Sequence, residues 1–385
     1  MRYANSILKS ALFLAAAVAA PGQTSAQAPA PAPAPAPPAT SWSYKGFNAT
    51  GWVDTYYNQN FNDPSSRTAY LQGLNITSDK LSMNSITGSF SYDPKPIGFK
   101  VDVGWGRTYD AFYISEPKKS NWDRYLINAY VSIKPESWKG LQLDFGKFVT
   151  SAGAELTESH LSWNYSRSLL FAYGPFFHTG LRATIPVNSV WTTGVAGVTG
   201  WNGMRDNNSG KTLGITNVFT LNKTVIANTY YAGPENTDTN KGWRQFSDTA
   251  VTLNPTDRLS MYVNFDYGHN AFPTGPAANW WGIGSAARFA VNKRFAITPR
   301  FEYFDDKDGF TTLLAQQIKE FTLTGEMKLN ESFITRLEWR RDWSNQPYFE
   351  VGTTPNARNH QTLLTAGVIV VFKPGMFDFG GKGKP

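Results

Sequence analysis

Residues 317–329 read QIKEFTLTGEMKL. Phe321, Leu323, Met327 and Leu329 share one parity, and Glu320, Thr322, Thr324, Glu326 and Lys328 share the other. A period of two is the signature of an extended strand whose faces meet different surroundings. Leu329 to Glu331 is a short link, and the segment that follows, 332–344, has the same phase, with Leu337 and Trp339 opposite Arg336, Glu338 and Arg340. Two such strands joined tightly form a hairpin that is greasy on one side and charged on the other.

The same rhythm runs from Tyr44 to Phe372. Sixteen segments are predicted, at 45–58, 80–92, 97–108, 123–134, 140–149, 176–186, 189–201, 211–221, 224–233, 243–254, 257–268, 279–291, 295–304, 317–329, 332–344 and 361–373. Merging or splitting one hairpin would make fourteen or eighteen. Short links rich in turn residues, such as Asp93 to Pro96, Val187-Asn188, Asn222-Lys223 and Asn292 to Arg294, alternate with long ones at 59–79, 109–122, 150–175 and 345–359. Tight turns at one end and long loops at the other are the pattern of an outer-membrane barrel, and each segment reaches the roughly 9 to 11 residues a tilted strand needs to cross hydrocarbon. The expected fold is therefore all-β, a transmembrane antiparallel up-and-down β-barrel over 44–373. Leu259, Met261, Val263, Phe265 and Tyr267 are expected to face lipid, with Arg258, Ser260, Asn264 and Asp266 inward. Segment 243–254 alternates poorly.

Composition agrees with this reading. Mean hydropathy is −0.36 and no run approaches eighteen apolar residues, which excludes helical spans. Charged residues make up 17%, below the roughly 25% of soluble domains, while aromatics reach 15%. Phe47, Tyr92, Trp138, Trp191, Phe295, Phe333 and Phe372 are expected at the periplasmic rim, and Trp105, Tyr109, Trp201, Tyr267, Tyr303 and Trp343 at the outer one, as two aromatic girdles.

The N-terminus reads as an export signal. Arg2 and Lys9 precede the apolar core Ala11 to Ala20, and Thr24-Ser25-Ala26 ends the segment, so cleavage is expected near Ala26. Removal lowers the formal charge from +7 to +5. Residues 27–43 form a Pro/Ala-rich linker, extended by alternating proline, which reads as a periplasmic spacer or a contact to the cell wall. The last segment ends in an outward Phe372, followed by a tail at 374–385. Cysteine is absent, which excludes a disulfide scaffold and thiolate metal sites.

The words Leu143-Asp144-Phe145-Gly146-Lys147-Phe148, Gly153-Ala154-Glu155, Asn164-Tyr165-Ser166-Arg167-Ser168, Phe171 and His178-Thr179-Gly180-Leu181-Arg182 resemble the OmpL-like beta-barrel porin family of Gram-negative outer membranes. The resemblance implies an outer-membrane channel for small hydrophilic solutes, surrounded by lipid and lipopolysaccharide. By analogy with sixteen-stranded general porins, the loop at 150–175 is expected to fold into the barrel and narrow it, and a homo-oligomer is an open expectation. Glu155 and Glu158 would present carboxylates there, against Arg182, Arg288, Arg300, Arg336 and Arg340 on the wall. Opposed charges of this kind filter solutes by charge and dipole. The other reading has these arginines pair with loop acids to hold the loop. Arg167 is either a pore residue or part of a packed word in which Asn164 and Ser166 satisfy loop backbone and Tyr165 packs on the wall.

Other chemistries are weakly supported. His160, His178, His269 and His360 are scattered, and His178 with Ser166 or Ser168 is the one Ser/His pairing that folding would have to assemble, so no enzyme is expected. Asp305-Asp306-Lys307-Asp308-Gly309 lacks the first and last ligands of a calcium loop, so no metal or other cofactor is expected. Basic residues are spread rather than clustered, so no nucleic acid is expected, whereas inward guanidinium groups suit small oxyanions and predict a mild anion preference. Two function classes remain: a passive diffusion porin, and a plugged barrel acting as a binding or structural protein tethered through the Pro/Ala tract.

Overall fold

The computed structural model describes residues 41–117, 123–374 and 376. The export signal at 1–26, most of the linker at 27–43 and nearly all of the tail lie outside the described residues.

Sixteen antiparallel strands close on themselves: β1 (Phe47–Asn60), β2 (Leu81–Tyr92), β3 (Ile97–Trp105), β4 (Leu126–Ile133), β5 (Gln142–Val149), β6 (Phe177–Pro186), β7 (Trp191–Val198), β8 (Thr212–Leu221), β9 (Thr224–Pro234), β10 (Trp243–Thr256), β11 (Leu259–Asn270), β12 (Ala278–Ala290), β13 (Phe295–Asp306), β14 (Gln316–Asn330), β15 (Phe333–Ser344) and β16 (His360–Phe372). Each pairs with its sequence neighbour, and β16 pairs with β1 from Leu363↔Asn60 to Phe372↔Gly51, so the sheet has no open edge. A short strand, Trp42–Tyr44, extends the ladder beside the start of β1, and a small hairpin, Phe349–Val351 with Thr354–Arg358, lies in the loop before β16.

The phase of the opening stretch holds. Leu323, Leu329, Leu337 and Trp339 are exposed on the outer wall, while Glu320, Thr322, Thr324, Glu326, Arg336, Glu338 and Arg340 are buried on the inner one. The poorly alternating segment 243–254 becomes β10, with Phe246, Asp248, Ala250 and Thr252 inward.

Several expectations need correction. The segment expected at 97–108 ends at Trp105, because Gly106 has φ +121° and a helix, α1 (Arg107–Ile114), follows. A Cβ at Gly106 would meet the Asn84 carbonyl oxygen at 2.5 Å, so the chain leaves the sheet where only glycine fits. The segment expected at 123–134 opens instead with a single 3₁₀ turn, Asp123–Tyr125, before β4. Tyr109 and Trp201 do not join the outer girdle. Tyr109 is buried, with its hydroxyl 3.0 Å from Thr87 Oγ1, and Trp201 packs edge-on against the inward Phe246. Parity alone could not place them, since both lie beyond the last regular strand position.

After α1, Glu116 is buried beside Lys147, whose Nζ lies 3.7 Å from the carboxylate and 3.9 Å from the Phe177 ring centre. Phe112 stacks on Phe176 and Phe177 at 5.0 and 5.8 Å, so helix and carboxylate are pinned together. Burial pushes the Glu116 carboxyl from its ordinary 4.5 up to about 7, against the attraction of Lys147 and with the repulsion of Asp123. The folded segment thus binds a proton that the opened one releases between pH ~4.5 and ~7, and its stability falls as pH rises through that window. Hydrogen exchange at 109–116, corrected for intrinsic rates, is expected to show an opening equilibrium that rises by about two orders of magnitude between pH 4.5 and 7.5. Glu116→Gln is expected to flatten that slope, and an unchanged slope in the variant would assign it to another group.

Candidate pore constriction

Loop 150–175 begins at the upper end of β5, and its backbone is held from several sides by inward side chains. Thr229 on β9 donates to the Ser151 carbonyl at 3.2 Å, and Ala154 N–H donates to Asn264 Oδ1 on β11 at 2.7 Å. Across the barrel, Glu338 on β15 accepts from the Tyr165 and Ser166 N–H groups at 2.6 and 2.9 Å, and Glu302 on β13 accepts from Leu169 N–H at 2.7 Å. The Tyr165 hydroxyl donates to Asp54 on β1 at 2.6 Å, and the same carboxylate accepts from Ser159 and from Asn84. Polar loop backbone brought against a wall must find partners, and inward carboxylates supply them. The short helix α2 (Leu169–Tyr173) begins at Ser168, whose hydroxyl accepts from Phe171 N–H at 2.9 Å.

The arginines divide into two groups. Arg167, Arg300, Arg336 and Arg340 are all buried. Arg167 donates to the carbonyls of Leu156, Thr157 and Tyr165 at 2.7 to 2.9 Å, closing the loop on itself. Arg300 contacts Glu155 at 2.9 Å and the Ser166 carbonyl at 2.7 Å, with Glu320 at 3.2 Å behind it. Arg336 binds Glu326 at 2.7 Å and the Ser159 carbonyl at 2.7 Å, and Arg340 bridges Asp342 at 2.9 Å to the Arg167 carbonyl at 2.7 Å. Glu155 is therefore in contact with Arg300 rather than across a gap from it, and its second oxygen accepts from Ser168 N–H at 2.6 Å.

Arg182 and Arg288 stay accessible. Arg182 binds Asp144 at 2.8 Å and lies over the Phe148 ring at 4.4 Å, with its side chain 23% exposed against 4% for Asp144. Arg288, 25% exposed, shares Glu326 with Arg336 and Lys328, so one carboxylate faces three cations. Lys100 on β3 is 33% exposed beside a 3% exposed Asp102. Glu158 is half-buried and makes no ion pair among the described residues. Lys100 and Lys328 were not singled out in the sequence; the signal for them is inward parity in the lower half of their strands, the same signal that marks Arg182 and Arg288.

Other candidates found different partners. His178 Nδ1 lies 3.0 Å from the Gly200 carbonyl and its ring packs on Tyr231, while Ser166 Oγ accepts from Arg300 at 3.1 Å. His160, in the loop, is held near pKa 3 by burial and by Arg336 and Arg167, so it is neutral at pH 7. Asp306 accepts from the Phe310, Thr311 and Thr312 N–H groups at 2.7 to 3.0 Å, so this word caps its own turn. No group of three or more possible metal ligands occurs among the described residues.

Gly367 on β16 marks where the loop meets the wall. A Cβ there would sit 2.3 Å from Tyr165 Cε2, and the Tyr165 ring also packs on Tyr56 at 5.7 Å. Gly367→Val is expected to drive Tyr165 off Asp54 and to lower stability by about 1–3 kcal/mol. A drop in the urea midpoint at unchanged slope, with altered conductance, is the expected result; a wild-type midpoint would show that the ring yields freely.

A family described as "Putative beta-barrel porin-2, OmpL-like" matches residues 46–372. No curated protein matches the sequence. Among solved structures, the outer-membrane expressed OmpT of Vibrio cholerae is similar at 11% identity and TM-score 0.56, covering 86% of this chain and 100% of that one. An anion-selective porin from Comamonas acidovorans aligns at 9% identity and TM-score 0.60, covering 85% and 99%, and the outer membrane channel DcaP of Acinetobacter baumannii at 9% and 0.57, covering 87% and 100%. Likeness at these identities is likeness of fold.

Proposed function

The chain belongs to the OmpL-like beta-barrel porin-2 family, barrels of the bacterial outer membrane, and from that premise we propose that it is a passive diffusion porin for small hydrophilic solutes, mildly anion-selective and narrowed by loop 150–175. One observation carries the selectivity. In the lower half of the lumen the cations Lys100, Arg182, Arg288 and Lys328 keep 23% to 33% of their side chains accessible, while their partners Asp102, Asp144 and Glu326 keep 3% to 5%. A passing ion meets the positive member of each pair first, and in a low-dielectric wall this biases the local ion population toward anions. The solved anion-selective porin of the same fold is in keeping with this.

In this reading the eight candidate residues have two tasks. Arg182, Arg288 and Glu158 face the path. Glu155, Arg167, Arg300, Arg336 and Arg340 hold the loop that shapes it. Residues 1–26 direct export, and the Pro/Ala tract ahead of the Trp42–Tyr44 strand spaces the barrel from the cell wall. The alternative, a plugged barrel with a binding or structural role, draws on the same buried network, which fills the side of the lumen lined by β13 to β15.

Planar bilayers separate the two. Refolded mature protein under a tenfold potassium chloride gradient is expected to conduct and to show a reversal potential of anionic sign. No conductance would support the plugged barrel. Cation preference would refute the selectivity reading while leaving the porin.

A further inference from the structure

In the lower lumen one pair of accessible cations flanks an aromatic ring and the other pair does not. Lys100 on β3 and Tyr130 on β4 are directly opposite cross-strand partners on the inner wall, and Tyr130 is half-buried. From the other side the Arg182 guanidinium lies 5.8 Å from the centre of the Tyr130 ring and 4.4 Å from that of Phe148, and the two rings meet edge to face at 6.4 Å. Across the lumen Arg288 and Lys328 share Glu326, and neither lies over a ring among the described residues.

Asp144, Gly146 and Phe148 are successive inward positions of β5, with Gly146 opposite Tyr130, and Arg182 touches the first and the third. Its guanidinium therefore spans the glycine, where a Cβ would sit 2.8 Å from Tyr130 Cα and no side chain fits. Nε and Nη2 engage Asp144 at 3.1 and 2.8 Å, and Phe148 covers one face of the group. The Nη1 edge and the other face are left for a solute, next to the accessible part of the Tyr130 ring. Lys100 adds a second positive charge on the far side of that ring, 3.5 Å from Asp102.

Charge alone does not separate chloride from an organic anion. A ring set between two cations adds a preference for an anion that carries its own flat π-face, because an arene stacks on tyrosine and guanidinium planes while its carboxylate takes the N–H edge. We propose, on the basis of the porin reading, that Lys100, Tyr130 and Arg182 form a recognition site for small aromatic carboxylates of the benzoate kind. Such solutes dwell at this side of the lumen, and inorganic anions pass it by charge alone.

Benzoate and cyclohexanecarboxylate carry the same charge on the same ring size at neutral pH, and only the first is aromatic. Added to the refolded mature protein in a bilayer, benzoate is expected to reduce the potassium chloride current at a concentration about three- to tenfold below that needed of cyclohexanecarboxylate. Tyr130→Leu is expected to erase the difference in heat-modifiable, folded barrels, and Tyr130→Phe to keep it. Saturation-transfer NMR on the refolded barrel in detergent makes the same comparison without a current, so a barrel that binds benzoate selectively yet does not conduct would retain the site and refute the porin. Equal potency of the two carboxylates on the current, or equal binding in a barrel that does not conduct, overturns the site. A Tyr130→Leu barrel that still prefers benzoate overturns it as well.

Discussion

Replacing Arg300 with methionine is expected to produce the largest single loss of stability in the barrel and to free loop 150–175 in the same step. The guanidinium is buried among Glu155, Glu302 and Glu320, at 2.9, 3.8 and 3.2 Å, and also donates to the Ser166 carbonyl. Methionine has similar volume but leaves three carboxylates without their shared cation. Breaking a buried ionic pair by removing one member costs about 3–5 kcal/mol, because the remaining charge is left desolvated. The expected signs are a matching fall in unfolding free energy and noisier, larger single-channel currents, since the Glu155 end of the loop loses its tie to β13. Adding Glu320→Gln is expected to recover part of the stability by removing one uncompensated charge, as interacting sites do in a double-mutant cycle. Wild-type unfolding together with wild-type conductance in the single variant would defeat this account of the loop.

Neutralising the accessible cations together is expected to reverse the anion preference proposed for the pore. Lys100→Met, Arg182→Met, Arg288→Met and Lys328→Met remove the groups that shield Asp102, Asp144 and Glu326 from the path. A unit charge about 10 Å from the path contributes about 0.4 kcal/mol in water, so four are worth about 1.6 kcal/mol, or roughly ten-fold in the local population of each ion, in opposite directions for anion and cation, before salt reduces it. The reversal potential is expected to change sign, and the change is expected to shrink as ionic strength rises. Stability should move less than in Arg300→Met, because these pairs are open to water on one side. A variant that keeps its anion preference would place the selectivity in other residues.

Much of the molecule is readable before any coordinates. The alternation in 317–329 places Glu320, Thr322, Thr324 and Glu326 inward and Leu323 and Leu329 outward, and the structure agrees at each. Short links and long ones distinguish the two rims and yield sixteen strands. Strand ends were less legible: α1 begins at Arg107 because of the backbone conformation at Gly106, and α2 begins where Ser168 caps it. Neither event leaves a periodic trace. The word Asn164 to Ser168 could be located but not interpreted, since its hydrogen bonds go to Glu338, Asp54 and Thr324, more than a hundred residues away in the chain.

The sequence by itself determined the barrel, its compartment and, wherever the alternation is regular, which face of a strand meets lipid, because a period of two follows from local backbone geometry and needs no distant partner. Only the tertiary structure decided which inward arginines remain available to a solute. Arg182 and Arg300 have the same residue type and the same inward parity, yet one lies over Phe148 with its tip in water and the other is enclosed by three carboxylates and a loop carbonyl. What separates them is whether loop 150–175 comes to rest against their part of the wall. That is set by contacts between residues far apart in the chain, and no local pattern encodes it.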